Sequence, residues 1–111
     1  MADSTYLFIC SANLNRSIAA EKICRELTNK SNRKTKSESA GVHALANRKV
    51  NKIMADKADK IFVMEDYMKQ KLIKELNQPA EKIISFDIPD IYPLQDPELH
   101  RILTKKIKQY I

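Results

Sequence analysis

The sequence of 111 residues has little of several residue types on which other classes of protein depend. Its two cysteines are too few for a disulfide framework. Aromatic residues make up 6% of the chain, without the aromatic and basic interleaving of nucleic-acid modules. No apolar run approaches the length of a membrane-spanning helix. We therefore expect one domain over residues 1–111 that engages neither a membrane nor nucleic acid.

Glycine is the scarcest of the residues that shape turns. Gly41 is the only glycine in the chain and follows a short predicted strand, residues 36–40. Because glycine adopts backbone conformations that other residues avoid, we predict that Gly41 serves a turn that no other residue fits well.

The N-terminal residues 1–5 lack the basic start and the apolar stretch of a secretory signal. The net charge is +6, with lysine and arginine crowded into several segments. Solvated helix faces and loops explain most of this charge. A basic field also attracts anions, so the charge favours an anionic ligand without identifying one.

The most informative segment is an apolar run that ends in Cys10 and continues as Cys10-x5-Arg16-Ser17 into a predicted helix. Backbone N–H groups at a helix start attract negative charge and lower the pKa of a cysteine placed there. Arginine offers planar, bidentate donors to phosphate oxygens. The segment predicts an oxyanion loop with a reactive thiol, which needs a reducing cytoplasm. In the alternative interpretation, Cys10 is a small buried hydrophobe and Arg16 a solvated helix residue.

Strand and helix patterns alternate along the chain. We predict strands at 5–10, 36–40, 60–64 and 82–86, and helices at 17–29, 47–55, 66–76 and 97–110. Cys24 lies on the apolar face of the first helix, Asn47 is expected to cap the second, and Tyr67 belongs to the apolar stripe of the third. This alternation predicts an α/β three-layer sandwich: a four-stranded parallel sheet, in the order 2-1-3-4, with helices on both faces.

In such folds, ligands bind beyond the carboxyl ends of the strands. Cys10 ends the first predicted strand, and the acidic loop 87–93 follows the fourth, with prolines that exclude regular pairing. The nucleophile candidate and this loop should therefore emerge at one edge of the sheet.

The chain resembles the low-molecular-weight protein tyrosine phosphatases, especially the short bacterial subgroup known as predicted protein tyrosine phosphatases. The matching segments run in order over nearly the whole chain: Cys10-Ser11-x-Asn13-x-x-Arg16-Ser17-x-x-Ala20-Glu21, Ser39-Ala40-Gly41, Ala58-Asp59-x-Ile61-Phe62-Val63-Met64-Glu65, Asp87-Ile88-Pro89-Asp90-x-Tyr92 and Asp96-Pro97-Glu98-Leu99.

The resemblance implies roles for individual residues. Cys10 would attack phosphorus, Arg16 would clamp the equatorial oxygens, and Asp90 would protonate the leaving group and then activate water. Ser17 would hydrogen-bond the thiolate, and Asn13 would hold the shape of the loop. The resemblance further implies that the loop binds phosphate through residues 11–15 (Ser11, Ala12, Asn13, Leu14 and Asn15), and that no metal or organic cofactor is needed.

Asp90 also fits this role physically, because desolvation in an apolar loop raises the pKa of an acid and suits it to proton donation. Alternatively, Asp90 is a turn aspartate. Asp87 is a rival donor, and so is Asp96, whose Asp-Pro-Glu setting is more typical of a helix cap. Tyr92 is a candidate wall for the substrate ring or a core tyrosine.

Departures from the family pattern leave other functions open. Ala12 replaces a usual glycine, which strains the loop if a positive φ is required there, and Asn15 replaces a usual second cysteine. The leading hypothesis is a phosphatase for phosphotyrosine in a phosphorylated protein or for a small aryl phosphate. The alternatives are a thiol-dependent arsenate reductase, for which only Cys24 remains as a relay, and a non-catalytic phosphate- or phosphoprotein-binding module.

Overall fold

Four parallel strands form one sheet in the order β2-β1-β3-β4, which confirms the predicted order. The strands are β1 (Ser4–Cys10), β2 (Thr35–Gly41), β3 (Lys60–Val63) and β4 (Ile83–Ser85). The helices are α1 (Arg16–Lys30), α2 (Lys52–Lys57), α3 (Asp66–Leu76) and α4 (Pro97–Lys108), and a single 3₁₀ turn covers Ala80–Lys82. The computed structural model describes residues 4–31 and 34–111. Two short segments lie outside the described residues. They are residues 1–3, within the N-terminal segment that was examined for a secretory signal, and residues 32–33, which follow α1.

The helices cover both faces of the sheet. α1 and α4 pack against each other on one face. The connection from β1 to β2 runs in one direction across the sheet, whereas those from β2 to β3 and from β3 to β4 run in the other. Because crossovers between parallel strands are right-handed, α2 and α3 lie on the opposite face from α1. The predicted three-layer arrangement is confirmed.

The core forms where the continuous apolar runs of β1 and β3 meet. Phe62 on β3 stacks on Phe8 of β1 with ring centroids 5.1 Å apart, and it also contacts Tyr6, Phe86 and Tyr110. Cys24 is fully buried in α1, as its place on the apolar face predicted. Strands buried on both faces read as unbroken apolar runs, and this made β1 and β3 recognisable in the sequence.

The second helix departs from its prediction. Asn51, not Asn47, caps α2: its side chain accepts a hydrogen bond from the Met54 backbone N–H at 2.8 Å. The helix is therefore shorter than the predicted 47–55, and Ile53 in its first turn is exposed. Across the described residues, 4–31 and 34–111, no helix has the length and apolar character needed to cross a membrane.

Pairing at the carboxyl edge of the sheet continues beyond β4. The N–H of Phe86 donates to the carbonyl of Val63 at 2.8 Å, and the N–H of Ile88 donates to that of Met64 at 2.7 Å. The prediction that loop 87–93 is irregular is confirmed, because β4 ends at Ser85, and within the loop the Ile88 N–H makes a single bond of this kind before Pro89. The acidic loop is thus held against the end of β3.

Candidate active site

Residues 10–17, here called the phosphate loop, connect the end of β1 to the first turn of α1 and wrap around the Cys10 thiol. Cys10 is buried, and its Sγ accepts a hydrogen bond from the backbone N–H of Asn13 at 3.2 Å. Asn13 reaches this position with φ of 57°, a left-handed conformation that asparagine tolerates better than most residues. The positive φ that would have strained the loop at Ala12 is therefore found one residue later, at Asn13.

Two buried side chains form a hydrogen-bond chain to the thiol. The Asn13 side-chain amide donates to Ser17 Oγ at 2.8 Å, and Ser17 Oγ lies 2.9 Å from Cys10 Sγ. A thiolate only accepts, so toward the ionised cysteine the Ser17 hydroxyl is the donor. The sulfur anion then has two donors, the Asn13 backbone and the Ser17 hydroxyl.

The segment after β2 holds the phosphate loop from behind. The N–H groups of Val42, His43 and Asn47 donate to the carbonyls of residues 10, 11 and 12 at 3.1, 2.9 and 2.9 Å. These bonds engage the carbonyls of the loop and not its N–H groups. Asn47 therefore serves the phosphate loop instead of capping a helix.

Gly41 is required by close approach. A Cβ at this residue would lie 2.5 Å from the backbone oxygen of Ser11 and 2.7 Å from Cβ of Ala46. Gly41 does not have a positive φ, so the predicted reason, a special turn conformation, is wrong. The chain passes behind the phosphate loop where no side chain fits.

Arg16 is almost completely buried, with 1% of its side chain exposed. Its Nη1 donates to Glu65 Oε1 at 3.0 Å and to the carbonyl oxygen of Ile88 at 2.6 Å. Its Nε lies 3.8 Å from Asp90 Oδ1. A buried guanidinium needs such partners, because an unpaired charge in the interior is costly. The interpretation of Arg16 as a solvated helix residue is wrong.

Sequence reasoning assigned no role to Glu65 or to the Ile88 carbonyl. Glu65 is the second residue after β3, at the same edge of the sheet as Cys10, and this position was the available signal. A backbone carbonyl leaves no signal in the sequence.

The phosphate loop and the acidic loop enclose one cleft of about 110 Å³. It is lined by Cys10, Ser11, Ala12, Leu14, Asn15, Arg16 and Asp90. Among the predicted site residues, Asn13 and Ser17 lie buried behind this lining and support it. The cleft offers a thiol at its base, a guanidinium at its side and a carboxylate at its mouth. In the described part of the chain, no cluster of three or more His, Cys, Asp or Glu suited to a metal ion is found.

The three candidate acids have different environments. Asp90 lines the cleft, but its side chain is 59% exposed, so the expected enclosure in an apolar loop is wrong. Asp96 caps α4, accepting a hydrogen bond from the Glu98 N–H at 2.8 Å. Asp87 is exposed and has a φ of 56°. Geometry therefore singles out Asp90 as the carboxylate beside the phosphate loop.

Tyr92 takes the second of its two predicted places, whereas Tyr67 departs from its prediction. Tyr92 is half-buried against the core, and its phenol interacts with the charge of Arg101 on α4. It is not among the residues that line the cleft. Tyr67, which was assigned to the buried stripe of α3, is 48% exposed in the first turn of that helix.

Comparison with known proteins relates the N-terminal part of the chain to a family. Residues 5–55, which span the phosphate loop and the segment behind it, match the model of the low molecular weight phosphotyrosine protein phosphatases. The predicted resemblance to this family is confirmed. The predicted class of enzyme, a cysteine-based phosphatase, is confirmed as well. No curated protein gives a significant match to the chain.

Solved structures match over nearly the whole chain. The tyrosine phosphatase Wzb from Escherichia coli K30, in complex with sulphate, gives a TM-score of 0.80 at 23% identity, covering 96% of this chain and 95% of its own. YfkJ from Bacillus subtilis gives 0.80 at 20% identity, covering 99% and 93%. The arginine phosphatase YwlE, in a variant whose active-site serine is phosphorylated, gives 0.75 at 17% identity, covering 95% and 94%. At these identities, the structures establish the fold.

Proposed function

We propose that the protein is a cysteine-dependent phosphomonoesterase that hydrolyses phosphotyrosine or similar aryl phosphates through a cysteinyl-phosphate intermediate. The observation that carries the proposal is the convergence of Cys10, Arg16 and Asp90 on one cleft behind which Ser17 contacts the thiol. The substrate is a phosphorylated protein or a small aryl phosphate. A reduced thiol fits a cytoplasmic location, which together with a bacterial source is part of the proposal.

The first step forms a bond between Cys10 Sγ and phosphorus while the bond from phosphorus to the phenolic oxygen breaks. The leaving phenolate takes a proton from Asp90, which lies at the mouth of the cleft. Arg16 Nη1 is already bonded to Glu65 and Ile88, so Nε and Nη2 are the groups available to the equatorial oxygens. Because the guanidinium is fixed in advance, its charge stabilises the transition state with little reorganisation.

The second step returns the enzyme to its starting state. Asp90, now a carboxylate, takes a proton from water as the water oxygen attacks phosphorus and the sulfur–phosphorus bond breaks. The departing thiolate receives hydrogen bonds from the Ser17 hydroxyl and the Asn13 N–H. The positive potential at the phosphate comes from Arg16 and the N–H groups of the loop.

The structure favours neither alternative function. A thiol relay for arsenate reduction would need Cys24, which is fully buried in α1. The binding-module hypothesis rested in part on strain at Ala12, but Asn13 takes the left-handed position instead. The nucleophile and an acid share the cleft, as hydrolysis requires.

The test is hydrolysis of para-nitrophenyl phosphate by purified protein in the presence of a metal chelator. We expect turnover in the native protein and a loss of more than about a thousandfold in Cys10→Ser, which removes the nucleophile. Cys24→Ala is the matched control and should keep its activity. Full activity in Cys10→Ser would refute the mechanism. Binding of phosphate without hydrolysis between about pH 5 and 8 would instead support the binding module.

A further inference from the structure

The first helix begins with an asparagine whose side chain does not cap it. Asn15 is the N-cap residue of α1, and its backbone carbonyl accepts a hydrogen bond from the Ala19 N–H at 2.9 Å. An N-cap asparagine usually accepts a second bond, through its side-chain oxygen, from an N–H of the first turn. Asn51 and Asp96 do this at the starts of α2 and α4, each at 2.8 Å. The side chain of Asn15, by contrast, makes no such bond to an N–H group of the described chain.

Asn15 also lines the cleft, where it stands between Leu14 and Arg16 in the phosphate loop. It is partly exposed, and its side chain forms no hydrogen bond within residues 4–31 and 34–111. A side-chain amide carries two donors and an acceptor, and such groups find partners when they are drawn out of water. An amide without a partner at the wall of a cleft is therefore available to a ligand.

The cleft offers little positive charge to an oxyanion. Arg16 is the one cationic residue among the described residues that line it. Its charge is shared with two carboxylates, because Glu65 lies 3.0 Å from Nη1 and Asp90 lies 3.8 Å from Nε. Nη1 is bonded to the carbonyl of Ile88 as well, so only part of the guanidinium remains for a ligand. A neutral donor beside Arg16 therefore adds to the binding of an anion, since hydrogen bonds to charged groups are the stronger ones.

We propose that Asn15 is a further substrate-binding residue: its side-chain amide donates a hydrogen bond to an oxygen of the phosphoryl group held over Cys10. This contact adds to the backbone N–H groups of the phosphate loop. The inference deepens the proposed function and rests on it for the identity of the anion. At a position where the family usually has a cysteine, whose thiol is a weak donor, this chain then has a strong one.

Two substitutions separate ligand binding from helix capping. Asn15→Ala removes the amide, and the loss of a hydrogen bond to a charged ligand should weaken binding of inorganic phosphate about tenfold. Asn15→Asp keeps the shape of the side chain and is an equally good N-cap, so a capping role predicts no loss. Its carboxylate has no donor and repels the phosphate dianion, so we expect a loss of about tenfold or more.

The experiment measures binding of inorganic phosphate by titration calorimetry at neutral pH, with urea unfolding of each variant as a check on the fold. The matched control is Asn29→Ala, which removes an exposed asparagine from the last turn of the same helix, away from the cleft lining. It should bind phosphate as the native protein does. Both Asn15 variants should bind phosphate more weakly and unfold at a urea concentration close to that of the native protein, because the side chain caps nothing.

The outcomes separate this inference from the proposed function. Native affinity in either Asn15 variant overturns the inference, and so does a loss of stability in Asn15→Ala without a loss of phosphate binding. Hydrolysis of para-nitrophenyl phosphate is measured in parallel. Turnover in the native protein with phosphate binding that does not depend on Asn15 overturns this inference alone. Binding that depends on Asn15 in a protein without turnover overturns the proposed function alone, and a native protein that binds no phosphate overturns both.

Discussion

At the scale of single residues, Asn13 combines three roles in the phosphate loop. Its backbone adopts the left-handed conformation, its N–H donates to Cys10 Sγ, and its side chain donates to Ser17. Asparagine suits all three, because it tolerates a positive φ and carries an amide donor. The loop can thus lack the family's usual glycine at Ala12 and still turn around the thiol.

Two substitutions separate the backbone role of Asn13 from its side-chain role. Asn13→Gly keeps the left-handed conformation and loses the amide, whereas Asn13→Ala loses both. We expect both variants to have a kcat about tenfold lower, since Ser17 loses its donor. Asn13→Ala should be about 1 kcal/mol less stable than Asn13→Gly, measured by urea unfolding, because alanine in the left-handed conformation is strained. Equal stability of the two variants would contradict the backbone role, and an unchanged kcat in both would contradict the side-chain role.

The partners of individual residues were predictable to different degrees. Cys10, Arg16 and Ser17 stand close together in the sequence, so their common site could be predicted from spacing and resemblance. The bonds of Arg16 to Glu65 and Ile88 join residues 49 and 72 positions apart, and one acceptor is a backbone carbonyl. The sequence placed these groups at one edge of the sheet but contained no information on which atoms meet.

At the scale of elements, two aspartates have different roles, one in the acidic loop and one at the start of α4. Asp90 lies beside Arg16, and Asp96 caps α4. We expect Asp90→Asn to lower kcat about a hundredfold or more with little change in stability, because the general acid is lost. Asp96→Ala should lower stability by about 1 kcal/mol and leave kcat within about twofold, and Asp96→Asn, which can still cap, should restore stability. The measurements are kcat for para-nitrophenyl phosphate and urea unfolding; a large loss of kcat in Asp96→Ala would make Asp96 the donor.

Elements were predicted best where their apolar pattern was long and worst where the chain serves the site. β1, β3 and α3 have clear patterns, and their bounds agree within a few residues. Between β2 and α2 the chain contains Asn47, a good cap by composition, but its N–H binds the carbonyl of Ala12 instead. Tyr67 fits an apolar stripe by spacing, although it lies exposed in the first turn of α3. At Asn47, a contact with the phosphate loop prevailed over the local pattern.

At the scale of the whole molecule, the charged groups on the surface determine how stability responds to pH. Three exposed carboxyl groups have lowered pKa values, each mainly through one hydrogen bond: Asp56 from Gln78, Glu75 from Lys71 and Glu98 from Arg101. The unfolded chain binds protons to these groups at a higher pH than the folded chain does. Their stabilisation is therefore complete above the ordinary carboxyl pKa of about 4 and is lost as pH falls through the lowered values.

We expect the urea midpoint to be flat between about pH 6 and 5 and to fall steadily from about pH 4 downward. Protonation of carboxylates also adds positive charge to a chain that already carries +6 at neutral pH, which increases self-repulsion in the compact state. The double variant Lys71→Met with Arg101→Met removes the partners of Glu75 and Glu98, so its midpoint should fall less over the same range. A midpoint in the native protein that is unchanged from pH 6 to pH 3 would contradict this account. If the urea midpoint of the double variant falls as much as that of the native protein, other carboxyl groups cause the effect. The next to test is Asp56, whose hydrogen bond from Gln78 is removed in Gln78→Ala.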